Sequence, residues 1–319
     1  MSNIRTILSA NEKRERLNIL VVGATHERYE QQLCLTGHKF YSYNDQVKVW
    51  NNQYGAKPDN YITLDSIPTY IRPDVVLTHV SGQRLEMAND IGAHFGIKVI
   101  RHTHTLPESL LEQENFHKQT ADFNTFISEF SRKAWNSEGE VIPHGLDTEF
   151  WCPINCERDD SILSVVNYIA SRDWACGNTI YEQIKKLYKD GYFKIVGNNP
   201  GLSLPAGPNA LKTLYSNCGI FLNTSQFSPI PMSLLEAMAC GIAVISTSTC
   251  EIPNIIEHGK NGLLAKTPEE FIECMKKLKN NEALTRTLGD NARKTILESF
   301  NIKNFIENWN SILYRAITK

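Results

Sequence analysis

Strong net charge is the first thing this 319-residue chain lacks: 33 Lys and Arg stand against 35 Asp and Glu, a net of −2 at pH 7. That balance excludes broad electrostatic capture of nucleic acid or anionic membrane, while leaving room for a local basic groove. No apolar run approaches the roughly 18 residues of a membrane-spanning helix, so no transmembrane segment is expected. The opening MSNIRTILSANEKRERLN is too charged for a secretory signal. Eight cysteines are scattered without framework spacing, and Cys152 and Cys156 have no second pair to complete a zinc site. A reduced, cytoplasmic protein is the expectation. The dinucleotide fingerprint G-x-G-x-x-G is missing, since Gly23 is followed by ATHER, which disfavours a nicotinamide enzyme. HExxH and Asp-x-Asp are absent too, and no metal or cofactor is expected.

What is present describes an ordinary α/β protein. Hydrophobic residues make up 41% and charged residues 21%, and the length suits two domains. Apolar runs at LNILVVG (17–23), PDVVLTHV (73–80) and IKVIRHT (97–103) predict strands buried on both faces. HKFYSY and FNTFISEF (123–130) predict further strands, the second with a turn. Helices are predicted between them, one closed by Gly37 and one over about 85–95. Strands alternating with helical spacers imply parallel pairing through right-handed crossovers. The pattern restarts with SILSVVNYI, YFKIVG and GIFLNTS, with helices near 178–190 and 209–217. Amphipathic helices at 268–279 and 282–298 precede NFIENWNSILYRAIT, where Phe305, Trp309, Ile312 and Leu313 recur at helical spacing. The two halves share architecture but no internal sequence repeat.

The most informative stretch is Gln226–Gly262, QFSPIPMSLLEAMACGIAVISTSTCEIPNIIEHGKNG. Pro229 and Pro231 keep its start extended. MSLLEAMAC then predicts a helix from Met232 that stops at Gly241, and IAVIS predicts a buried strand. Glu236 is expected within about the first turn of that helix, beside free N–H groups and the positive end of the dipole. Such an arrangement can hold an anionic or polyhydroxyl ligand.

LLEAMACGIAV and EIPNIIEHGKNG closely resemble the donor-binding segment of glycosyltransferase family 4. The usual motif there is a pair of glutamates with seven residues between them; here the first position is Ser228, so half of the pair is missing. The resemblance covers most of the C-terminal half well and the N-terminal half in outline. It implies a GT-B fold, two Rossmann-like domains facing across a cleft. The expected limits are an acceptor domain over 1–145, a donor domain over 146–300 opened by the crossover EVIPHGLDTEFWCP, and a C-terminal helix at 301–319 returning to the first domain. It further implies transfer of a sugar from a nucleotide-diphospho-sugar to a hydroxyl acceptor, with retention of anomeric configuration. The acceptor stays open between a glycan, a small molecule and a modified DNA base. A non-catalytic sugar-nucleotide or glycan-binding protein, and a GT-B epimerase, are the alternatives.

Eight of nine histidines precede residue 145. His102 and His104 stand where a buried strand runs out, the place where open α/β sheets hold ligands, and alternation puts both on one face. By resemblance His104 faces the donor's anomeric centre; His102 is the second candidate, and a purely structural pair is the bland alternative. An ordinary histidine pKa would let His104 serve in either protonation state near neutrality. A leaving diphosphate needs fixed cations or N–H groups. Arg172, just after a strand, matches the family's donor-site cation loosely and could equally be a solvated loop charge. By the same resemblance Gly197 and Asn198 lie beside the nucleotide base, and Pro231, Met232 and Ser233 begin the donor-binding helix. Ser228 takes the place of the sugar-contacting glutamate, and Glu236 accepts from ribose hydroxyls. Gly23, Thr25, His26 and Arg28 form the loop toward phosphate and acceptor, although an i,i+4 helix pair would also account for Arg28.

Overall fold

The computed structural model describes residues 16–43, 49–79, 81–202 and 205–318. The charged opening stretch 1–15, and Val80 at the end of the predicted 73–80 strand, lie outside the described residues. Every strand pairing in both sheets is parallel. The first sheet contains β1 (Asn18–Val22), β2 (Lys39–Tyr43), β3 (Tyr61–Leu64), β4 (Val75–Thr78), β5 (Lys98–Thr103), β6 (Phe123–Phe126) and β7 (Glu140–Val141). Their order is β3-β2-β1-β4-β5-β6-β7. The second contains β8 (Ser161–Val165), β9 (Tyr192–Val196), β10 (Ile220–Asn223), β11 (Ala243–Thr247) and β12 (Leu263–Ala265), in the order β12-β11-β10-β8-β9. Each sheet is doubly wound, and each reverses direction once: between β1 and β4, and between β8 and β10. The predicted α/β class with two Rossmann-like domains is therefore the observed architecture.

Burial explains which runs became central strands. β4 and β11 are buried at every residue, and β1 at all but Asn18, so their side chains need helices on both faces. β2 alternates half-buried and buried residues, as suits a strand next to the edge. The helices are α1 (Glu27–Cys34), α2 (Gln83–Phe95), α3 (Leu110–Lys118), α4 (Glu129–Ala134), α5 (Asp173–Cys176), α6 (Asn178–Leu187), α7 (Pro208–Asn217), α8 (Met232–Ala239), α9 (Ile252–Ile255), α10 (Pro268–Lys279), α11 (Glu282–Ser299) and α12 (Ile302–Thr318). FNTFISEF, read from sequence as strand and turn, is a strand only to Phe126. Ser128 then caps α4, its hydroxyl accepting from Ser131 N–H at 2.9 Å. Helix α3 was missed although it carries a capping-box signal, Ser109 to Glu112. Ser109 Oγ accepts from Glu112 N–H at 3.2 Å while Glu112 accepts from Glu108 N–H at 2.7 Å.

The chain crosses between sheets twice, side by side. Leu146 N–H donates to Phe300 O at 2.7 Å and Ile302 N–H donates to Leu146 O at 2.9 Å. Past that pair, α12 lays Phe305, Trp309, Ile312, Leu313 and Ala316 into the first-domain core with Leu17, Ile19, Tyr29 and Leu77. Behind the second sheet, α8 ends at Gly241, whose φ of +68° only glycine adopts without strain.

Candidate functional site

The carboxyl ends of the two sheets enclose a cavity of about 320 Å³. Thr25, His26, Arg28 and Tyr29 enter it from the turn after β1 and the start of α1, and His104 from beyond β5. From the second domain come Ser164 to Asn167 at the end of β8, Gly197 after β9, and Asn223 to Ser225 after β10. Both reversal points thus open into one space, where doubly wound sheets bind ligands. Its described lining carries Arg28, Arg172, His26, His104 and His144, and no carboxylate, a composition suited to an anion. Gly197 is required there: its φ is +133°, and a Cβ would lie 2.1 Å from Val166 O.

Of the residues singled out from sequence, Thr25, His26, Arg28, His104, Arg172, Gly197, Ser228, Met232 and Ser233 line this cavity. No side chain caps the start of α8, so the amides of Met232 and Ser233 are left for a ligand. Gly23, Asn198 and Pro231 stand just outside the lining. Gly23 N–H reaches Tyr43 O at 3.3 Å, the Asn198 side chain donates to Tyr168 OH at 2.5 Å, and Pro231 is the buried N-cap of α8.

Glu236 differs from expectation. It is the fifth residue of α8, not part of the first turn, and it is 1% exposed. Oε1 is held by Arg28 Nη1 from the other domain and Oε2 accepts from Tyr215 OH at 2.9 Å. The α8 helix is apolar on all sides, so its one acid is turned into the body of the fold and needs a cation there. Burial is the largest influence on Arg28 and opposes its charge, but Glu236, Tyr215 and Tyr54 together leave the guanidinium pKa above its ordinary value. Arg28 therefore makes no i,i+4 pair; its partner lies 208 residues away. Tyr54 and Trp151 flank its guanidinium, with ring centroids 5.9 and 5.6 Å from the central carbon.

The two predicted histidines do share a face, with rings 4.5 Å apart, but only His104 reaches the cavity. His102 is fully buried in β5, with Nε2 at 2.7 Å from Tyr29 OH and Nδ1 at 2.7 Å from Thr125 Oγ1. Both of its nitrogens are spent on the interior. His79 and His144 complete a buried cluster around the Tyr29 ring. Burial pushes His79 down to about 3 and His144 to about 4. Burial, then the neighbouring His102, His79 and His144, hold His104 well below the usual histidine range. His104 is therefore neutral at pH 7, which corrects the expectation that it would titrate near neutrality.

Sequence reasoning passed over Tyr29, Tyr54, His144 and Asn167 in the lining, and His79 behind it. His144 stood in the quoted Pro-His-Gly crossover, where its position beside the first-domain histidines had no sequence signal. Two further contacts bridge the domains: Phe130 N–H donates to Glu251 at 2.7 Å, and Asn167 Nδ2 approaches Tyr54 OH at 3.5 Å. Among the described residues no group of three His, Cys, Asp or Glu is disposed to hold a metal ion, and no helix is long and apolar enough to cross a membrane.

Residues 195–295 match the family model described as "Glycosyl transferases group 1". A probable sucrose-phosphate synthase of Thermosipho melanesiensis is 36% identical over 102 residues, 30% of this chain and 23% of the relative. An N-acetyl-alpha-D-glucosaminyl L-malate synthase of Bacillus anthracis is 26% identical over 145 residues, 44% of this chain and 35% of the relative. The matched regions thus span about a third or less of these curated relatives. Among solved structures, HepE of Anabaena in complex with UDP-glucose superposes with a TM-score of 0.75 at 14% identity, covering 94% of this chain and 100% of that one. A sucrose-phosphate synthase from Thermosynechococcus elongatus gives 0.72 at 15% identity, covering 95% and 99%. These neighbours are GT-B proteins, and the fold described above is GT-B.

Proposed function

We propose that this GT-B chain is a glycosyltransferase of the family 4 type, moving a sugar from a nucleotide-diphospho-sugar to a hydroxyl acceptor. One observation carries the reading: a carboxylate-free cavity at both sheet reversals, with Arg172 and the uncapped end of α8 on one domain and His104 on the other. The UDP-glucose bound to HepE supports a uridine nucleotide as the first donor to try. Arg172 and the amides of Met232 and Ser233 meet the diphosphate and offset the charge that grows as the glycosidic bond to phosphate breaks. Gly197 and Asn198 lie beside the base. His104, neutral, hydrogen-bonds a sugar hydroxyl and holds the anomeric carbon toward the acceptor domain. Glu236 reaches the ribose only when Arg28 releases it. Ser228 gives the sugar a hydroxyl contact where a glutamate would give a charge, which shifts sugar preference. The acceptor hydroxyl attacks on the face the diphosphate leaves, retaining configuration. Its eight cysteines are free thiols, which suits a reducing cytoplasmic setting.

The test is a thermal-shift panel of nucleotide-sugars followed by donor turnover. A true donor at 100 times its dissociation constant stabilises by about 2.7 kcal/mol. His104→Ala should then lower turnover by about 10²–10⁴ with little change in donor affinity. Binding without turnover would favour a sugar-nucleotide-binding protein, and an isomerised donor sugar an epimerase. A panel with no stabilising nucleotide-sugar would refute the reading.

A further inference from the structure

We infer that Glu30 and His79 form a relay behind His104 that fixes which of its ring nitrogens carries the proton. The geometry begins with the sheet. β4 and β5 are neighbours, with Thr78 opposite Arg101, so the residues following each strand emerge side by side at the carboxyl edge. His79 follows β4 and His104 follows β5. Their rings meet with His104 Nε2 at 2.9 Å from His79 Nδ1. Between two neutral imidazoles, one nitrogen of that contact must donate and the other must accept.

Glu30 decides which. Its Oε1 lies 3.5 Å from His79 Nε2, on the far side of the ring from His104. That is longer than a hydrogen bond, yet close enough for a carboxylate oxygen to repel a lone pair and attract an N–H. The same Oε1 accepts from Thr25 N–H at 2.8 Å, which holds it as an acceptor beside His79. Both Glu30 and His79 are buried, so little solvent competes for the intervening proton. His79 accordingly carries its hydrogen on Nε2 and accepts at Nδ1. His104 donates from Nε2 and keeps its lone pair on Nδ1. His102 does not interfere, because Tyr29 and Thr125 occupy its nitrogens. The partner on one nitrogen of a histidine sets what the other can do, and here the relay leaves His104 a hydrogen-bond acceptor for a hydroxyl. Glu30 and His79 are positioning residues, and the catalytic side of the inference rests on the proposed contact of His104 with the sugar.

Nitrogen NMR on ¹⁵N-histidine-labelled protein at pH 7 reads the tautomers directly, with His104→Gln used to assign the signal. The wild-type spectrum decides without any relay variant: His104 should be the Nε2–H tautomer, and an Nδ1–H tautomer overturns the relay. Glu30→Leu removes the oxygen that faces His79 Nε2 and should leave both tautomers of the pair populated; an unchanged single His104 tautomer in that folded variant also overturns it. With UDP-sugar turnover in hand, Glu30→Leu should lower kcat severalfold while KM and UDP affinity stay within twofold. A changed tautomer with unchanged kcat would refute the catalytic reading of His104 and so overturn the positioning role.

Discussion

Replacing Arg28 by methionine tests the contact that joins the two domains across the cleft. The substitution keeps most of the stem and removes the charge. Glu236 is 1% exposed at the side chain and Arg28 18%, so the carboxylate would stay buried with only Tyr215 OH for a partner. Breaking a buried ion pair by removing one partner costs about 3–5 kcal/mol. Arg28 is open to the cleft, where water can reach the vacated site, and that places the expected loss at the lower end, about 3 kcal/mol. Removing the acid as well, in Arg28→Met/Glu236→Gln, should recover much of this loss, since no unpaired charge remains. Close pairs of this kind show coupling of about 0.5–3 kcal/mol. Urea unfolding followed by tryptophan fluorescence is a suitable assay, because Trp151 stands beside the Arg28 guanidinium. A single variant within about 0.5 kcal/mol of wild type, or a double variant equal to the sum of the singles, would refute the reasoning.

Arg172→Ala should weaken UDP by about 1.5–3 kcal/mol, the worth of a charge-assisted hydrogen bond, and leave uridine unaffected; calorimetry showing equal losses would point to a folding defect. Acid should destabilise the fold through the histidine cluster. His79 at about 3 and His144 at about 4 lie below the unfolded value near 6.5, so the unfolded chain binds more protons and stability falls as pH drops through that window. Near pH 5 each contributes about 1.4 kcal/mol per pH unit, and urea midpoints unchanged from pH 7 to 5 would contradict this. Turnover should survive EDTA, because Arg172 and the α8 amides serve the leaving diphosphate; activity abolished by EDTA and restored by magnesium or manganese would overturn that assignment.

Local sequence determined much of this protein. LNILVVG, PDVVLTH, IKVIRHT and IAVIS are too apolar to face water on either side, which dictates parallel strands covered by helices on both faces. Strand ends in such sheets are ligand sites, and that, together with the family resemblance, drew attention to His104 and Arg172. The short strands β3 and β12 were not legible, because YITL and LLA are held by neighbouring strands and have little pattern of their own. The partners of the candidate residues were hidden for a related reason. Whether Glu236 points into the cavity or back toward Arg28 depends on a residue 208 positions away, and one nitrogen of His102 is occupied by Tyr29, 73 positions away. A side chain's chemical type is written in the sequence, but its free valences are set by whatever the fold brings within 3 Å. That is why the strand ends could be read in advance, while the division of labour among four histidines and one buried ion pair was decided only by the tertiary structure.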